Sequence, residues 1–200
     1  MTSPAVLLSL TDQEVVQRAR EGHEPAYREL LRRYERPVFS LVYRMVRDRE
    51  LAEDLSQEAF VKALNAIESY RPEYKFSSWI FKIANNTTID HIRKRELDTI
   101  PIEGARNATT PDRAEATALQ IEDKSESPLA EMESRELGSA IETAIGNLRP
   151  EYQSCILLRH VEDRSYEEIA EILDLPLGTV KTYIHRARAE LKEALEDLRE

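Results

Sequence analysis

The sequence predicts an all-α fold, two small helical domains joined by a flexible acidic linker, and three observations predict it. Charged residues make up 33% of the 200 residues and aromatics 6%, with 5 glycines. Such a composition suits helices with solvated faces better than a strand-rich sandwich. Apolar residues recur at helical spacing over residues 10–96 and again over 135–195. Between them, residues 97–134 lose that periodicity and carry Pro101, Pro111 and Pro128 among Thr, Glu and Ala. Too few large apolar groups lie there to offset the entropy of ordering, so the segment reads as a tether.

In chain order, Thr11 and Glu14 form a capping box that opens a short helix carrying Val15, Val16 and Ala19. A second helix starts near Glu24, with Pro25 suited to its first turn, and runs through Tyr27, Leu30, Leu31 and Tyr34. Pro37 should kink or restart it, and the apolar pattern continues over residues 38–46. A third helix, about residues 50–67, carries Leu51, Leu55, Phe60, Val61 and Leu64. Residues 68–75, with Tyr70, Pro72 and Tyr74, break the run, and a fourth helix follows over about 77–96 with Trp79, Ile80, Ile83, Ala84, Ile89 and Ile92. Helical pattern resumes near Arg135 with Leu137, Ile141, Ile145 and Leu148, and Pro150 begins another helix through Cys155, Ile156, Leu157 and Val161.

Several function classes are disfavoured. No run of about 18 apolar residues exists to span a membrane. The start of the chain lacks a basic segment followed by a secretory apolar core. One cysteine, Cys155, permits no internal disulfide and fits a reducing cytoplasm. His23, His91, His160 and His185 are scattered, with no paired ligand spacing, no glycine-rich phosphate loop and no nucleophile motif. The expectation is therefore a cytoplasmic protein that is not an enzyme and needs neither metal nor cofactor.

The most informative stretch is 165–188. Ser165 and Glu168 form a second capping box, and Tyr166, Ile169, Ala170, Ile172 and Leu173 make one apolar stripe behind it. Asp174, which tolerates left-handed backbone, and Pro176, which stops a helix, make the turn. The next helix, starting at Thr179 or at Leu177 just before it, buries Val180, Ile184, Ala187 and Leu191 by spacing. Lys181, Thr182, His185, Arg186 and Arg188 then project outward, the arrangement by which a helix-turn-helix presents side chains to base edges and phosphates. Tyr183 suits packing on the first helix as well as a phosphate contact, and Arg159 suits the groove edge as well as solvent. An ordinary helical hairpin with a solvated basic face is the plainer reading of the same residues.

Those residues carry a resemblance. Ser165-Tyr166-Glu167-Glu168-Ile169-Ala170, then Pro176-Leu177-Gly178-Thr179-Val180-Lys181, ending in Arg186-Ala187-Arg188, resembles region 4 of bacterial RNA polymerase sigma factors. Asp54-Leu55-Ser56-Gln57-Glu58-Ala59-Phe60 resembles the polymerase-binding helix of region 2. Phe76-Ser77-Ser78-Trp79-Ile80-Phe81-Lys82-Ile83-Ala84 and residues 86–95 resemble its promoter-melting and downstream-element segments. The match covers about residues 10–96 and 135–195, and the absence of further domains points to the small extracytoplasmic-function (ECF) group of the sigma-70 family.

The resemblance implies a transcription initiation factor that binds core RNA polymerase, directs it to promoters through −10 and −35 elements and helps melt the DNA. It implies partners: the β′ clamp and β flap of the polymerase, promoter DNA, and an anti-sigma factor covering both domains. Asp54, Leu55, Gln57, Glu58 and Phe60 would dock on the clamp. Tyr70, Arg71, Lys75, Phe76, Ser77, Trp79, Lys82, Asn86, Asp90, Arg93 and Lys94 would serve the −10 element, where an extruded base needs an apolar or aromatic pocket. Trp79 and Phe76 also suit a plain core role. Arg159, Thr179, Lys181, Thr182, Tyr183, His185, Arg186 and Arg188 would serve the −35 element. Thr87 and Thr88, and Lys181 and His185, depart from the residue types usual at their positions, which bears on the promoter sequence read.

Charge distribution refines the expectation. The net charge is −10, with 10 acidic and 4 basic residues over 97–136, whereas residues 176–188 hold Lys181, Arg186 and Arg188 and no acid. Attraction to phosphate follows the local field, which decays over about 8 Å at physiological salt. The protein alone should bind DNA poorly. Tight autonomous binding to duplex would instead favour a free-standing repressor or activator.

Overall fold

The computed structural model describes residues 7–98 and 128–196. Helix α1, Asp12–Arg20, opens on the expected capping box: Thr11 Oγ1 accepts from the Glu14 N–H, and the Glu14 carboxylate accepts the Thr11 N–H at 2.8 Å. Its inner face buries Val15, Val16 and Ala19. Helix α2, Glu24–Val46, runs through Pro37 as one helix, so the expected restart does not occur. Proline removes one ladder bond, yet Leu30 ahead of it and Val38, Leu41 and Val42 behind it are all buried in the same bundle. That burial on both sides outweighs the missing bond. Arg47, left-handed at φ 57°, ends the helix by donating to the Tyr43 carbonyl at 2.8 Å.

Asp48 caps α3, Arg49–Asn65, by accepting from the Leu51 N–H at 3.0 Å. A 3₁₀ turn, Ile67–Ser69, leads to the irregular stretch 70–75 and then to α4, Phe76–Asp98. The second half holds α5, Pro128–Gly146; α6, Pro150–His160; α7, Tyr166–Leu173; and α8, Leu177–Glu196. Of the tether expected over 97–134, Leu97 and Asp98 still belong to α4 and residues 128–134 to α5. The remainder, 99–127, lies outside the described residues.

Helices α1 to α4 pack around α2, and α6 to α8 pack around one another with α5 along α8. The two groups also meet: α2 lies on α5 and α6, and α4 lies on α7. Helix α6 is consequently covered on every side, with Tyr152, Gln153, Ser154, Cys155, Ile156, Leu157 and Leu158 all buried. Burial pushes the Cys155 thiol up to about 12, so it acts as a small apolar side chain. Buried residues of both groups form one continuous apolar cluster.

Candidate nucleic-acid interface

The helix-turn-helix is assembled by local chemistry. Ser165 Oγ accepts from the Glu168 N–H at 3.1 Å, and the Glu168 carboxylate accepts the Ser165 N–H at 2.9 Å. Ile169 and Ile172 anchor α7 in the core. Asp174 takes the left-handed conformation at φ 57°, and the next N–H, of Leu175, returns to the Ala170 carbonyl at 3.0 Å. Helix α8 buries Val180, Ile184 and Ala187, while Leu191 is only half-buried.

That register leaves Lys181, Thr182, His185, Arg186 and Arg188 exposed on one helix, as expected. Several residues assigned to the −35 element, Thr182, Arg188 and Arg186 (with Tyr152) among them, also make contacts within the chain. Tyr183 packs on Tyr152 with ring centroids 5.1 Å apart, and Thr179 is half-buried. Arg159 donates to the Arg164 carbonyl at 2.9 Å and lies over the Tyr166 ring, so it braces the loop ahead of α7. Thr182 donates its hydroxyl back to the Gly178 carbonyl at 2.9 Å. Arg188 reaches the His160 ring at 3.2 Å, and burial, with Arg188 and Arg159 nearby, pushes that imidazole below its usual range.

At the other site, most of the aromatics turn inward, Phe76 in the core role that the sequence also allows. Tyr70 and Phe76 are buried at 3% and 4% exposure, and the half-buried Trp79 packs on both at 5.5 Å. Tyr34 closes the cluster edge-on to Phe76 at 5.3 Å. As placed, Tyr70 and Phe76 are core rather than stacking surfaces, because the apolar burial they gain against α1, α2 and α4 exceeds what an exposed ring would keep. The ring left outside is Tyr74, 47% exposed, a residue not assigned to the strand although it belongs to the same aromatic group. Arg71 and Lys75 are exposed beside it, and a shallow cavity opens among Arg20, Glu68, Tyr70, Arg71, Glu73 and Tyr74.

Along α4, Asn86, Asp90, Arg93 and Lys94 are exposed and Lys82 half-buried, one stripe at helical spacing. Thr87 and Thr88 turn inward: Thr87 accepts from Lys62 at 3.2 Å and Thr88 donates to the Ala84 carbonyl at 2.8 Å. Their departure from the usual types thus concerns packing. Ser77 is also buried, at 8% exposure, beneath the Arg164 guanidinium, which donates to its hydroxyl at 3.1 Å and lies over the Phe81 ring.

On α3, Asp54, Gln57 and Glu58 are exposed, with Glu58 paired to Lys62 at 2.7 Å. Leu55 and Phe60, expected among the polymerase contacts, point inward at 3% and 8% exposure. Together with Ala59 they form part of the buried face of α3, so little of either surface is left for a partner. The apolar group beside Gln57 and Glu58 that does face out is Val61, at 57% exposure.

Comparison with known proteins follows the same division. A family described as Sigma-70 region 2 matches residues 30–97, and one described as Sigma-70, region 4 matches residues 139–191. The ECF RNA polymerase sigma factor SigW of Bacillus subtilis is 35% identical over 186 residues, 92% of this chain and 96% of that protein. The ECF RNA polymerase sigma-E factor of Haemophilus influenzae is 36% identical over 193 residues, 94% of this chain and 97% of the other. Among solved structures, CnrH in complex with the cytosolic domain of CnrY superposes with a TM-score of 0.65 at 22% identity, covering 93% of this chain and 97% of that one. The sigma factor RpoE in complex with the anti-sigma factor NepR from Bartonella quintana gives 0.60 at 24%, covering 85% and 96%. At those identities the two structures bear on the fold alone.

Proposed function

The chain belongs to the sigma-70 family of RNA polymerase sigma factors, in its ECF group, and from that premise we infer how its two halves divide the work. It is a transcription initiation factor: it binds core RNA polymerase, directs it to promoters through −10 and −35 elements and promotes melting. Its contribution is binding and positioning, carried out in the cytoplasm, with the bond-making chemistry left to the polymerase.

The carrying observation is the pair of basic stripes. Helix α8 offers Lys181, His185, Arg186 and Arg188 as the −35 reader, with Thr182 presenting its methyl to a thymine. Residues 71–75 and the α4 stripe serve the −10 strand. Arg71, Lys75, Lys82, Arg93 and Lys94 attract phosphates, and Tyr74 at the mouth of the shallow cavity is the stacking surface for an extruded base. Asp54, Gln57, Glu58 and Val61 on α3 form the docking face for the β′ clamp. Residues 10–96 and 135–195 act as the two DNA-reading units. We also infer control by an anti-sigma factor, a protein partner that would contact both.

Run-off transcription with core polymerase over a promoter library tests the reading. Start sites should share two upstream elements at fixed spacing, and no stimulated initiation at any promoter would sink it.

A further inference from the structure

We propose that α1 is a brace for the −10 reading loop, with Arg20 and Gln13 as its positioning residues. Arg20 Nε donates to the Ile67 carbonyl at 3.1 Å, and its Nη2 donates to the carbonyls of Glu68, at 3.3 Å, and Tyr70. Gln13 Nε2 donates to the Pro72 carbonyl at 2.7 Å. Four carbonyls, two in the 3₁₀ turn and two in the irregular stretch after it, are thus held by two side chains of a helix that lies ahead of residues 30–97 matched by the region 2 family. The Ile67 carbonyl, which already accepts the Tyr70 N–H at 3.2 Å, takes Arg20 as a second donor where the 3₁₀ turn ends. A planar guanidinium can bridge three of these carbonyls in a way an ammonium cannot. The Arg20 guanidinium also lies over the Tyr70 ring, whose hydroxyl donates to the Tyr74 carbonyl at 2.7 Å. Position therefore passes from α1 through Tyr70 to Tyr74, the exposed ring.

This rests on residues 70–75 meeting the −10 strand. The test uses holoenzyme carrying Arg20→Gln or Arg20→Lys and the non-template hexanucleotide that wild-type holoenzyme selects from a random pool. Both variants should lose roughly tenfold in discrimination against single-base changes, the effect of one to two charge-assisted hydrogen bonds. Emission of Trp79, the chain's one tryptophan, should shift in the free variants because Tyr70 moves against it. Wild-type discrimination and emission in Arg20→Lys would overturn the brace. So would equal weakening on all strands together with a lowered melting temperature. If wild-type holoenzyme selects no hexanucleotide, the parent reading fails instead.

Discussion

Ser154 Oγ of α6 lies 2.6 Å from Asn85 Oδ1 of α4, and the two residues are 0% and 2% exposed. This buried polar contact joins the helix-turn-helix half to the first half at the centre of their seam, where Gln153 also donates to the Arg44 carbonyl at 3.0 Å. In Asn85→Ala, Ser154 keeps the Pro150 carbonyl at 2.9 Å and the Met45 sulfur at 4.0 Å, so the cost should fall at the low end for a buried polar loss, about 1 kcal/mol. Urea unfolding should show it, with the transition broadening or splitting as the halves uncouple. Run-off with holoenzyme should be retained if the polymerase holds the halves apart. A sharp transition at the wild-type midpoint would mean the contact contributes nothing.

The Ser165 capping box sets the start of α7 and hence the angle at which α8 is presented. Ser165→Ala should cost ~1 kcal/mol in thermal unfolding, while Ser165→Asp, another good cap, should cost much less. Equal loss in both would show that the hydroxyl serves something other than the Glu168 N–H.

How much of this was legible follows from the range of each interaction. Both capping boxes, the Asp174 turn and the outward stripe of α8 depend on residues three or four apart, and all were readable. Pro37 suits a kink or a restart by its own chemistry, and the restart does not occur because the burial that keeps α2 whole comes from helices elsewhere. Tyr70 and Phe76 look like a base cradle in sequence because composition does not tell which ring turns inward. That depends on Tyr34 and Arg20, far back in the chain. The pairing of Lys75 with Glu168 spans 93 positions and has no local signature at all. Val61 is readable as apolar, yet spacing along α3 does not tell that it faces outward.

Glu29 predicts an acid-sensitive component of stability. It is buried at 6% exposure, accepts from Arg32 Nε and Nη2 at 2.8 Å each and from Arg33 Nε at 2.7 Å. Hydrogen bonds from Arg32, with Arg33 adding to them against desolvation, hold its carboxyl at about 2 rather than 4.5. The folded value lies below the unfolded one, so the unfolded chain takes the proton first. The stabilisation is complete above about 4.5 and fades as pH falls toward 2. Glu29→Gln should lower stability by ~1–3 kcal/mol at neutral pH and flatten the decline across that window. A parallel decline in both proteins would contradict the assignment.

The α3 face separates partner binding from folding. Reversing Asp54 and adding Gln57→Lys changes two exposed groups, and such surface changes usually alter stability by about 0.5 kcal/mol or less. Binding to core polymerase, followed by fluorescence anisotropy of labelled chain, should nevertheless weaken at least tenfold. Undiminished affinity would move the docking face elsewhere. Val61→Ser should weaken binding without unfolding, whereas Leu55→Ser should unfold, because only the former side chain lies outside the core.

Arg186 can be separated from a mere phosphate anchor. It is exposed on α8 one helical turn from Thr182, on the face that carries Lys181 and His185. A bidentate guanidinium contact to a guanine edge carries ~1–3 kcal/mol of discrimination, confined to one position of the site. A phosphate contact weakens all sequences alike and lowers the salt slope by about one. Arg186→Ala holoenzyme should therefore lose ten- to hundredfold on its own −35 element, about 1.4 kcal/mol per factor of ten, and much less on elements altered at that one position. Lys181→Ala should give the uniform loss with the shallower salt dependence, since an ammonium on a flexible stem acts as a point charge. Competition binding across single-base −35 variants at two salt concentrations distinguishes the outcomes. A uniform loss for Arg186→Ala would reassign it to the backbone and leave base reading to Thr182 and His185.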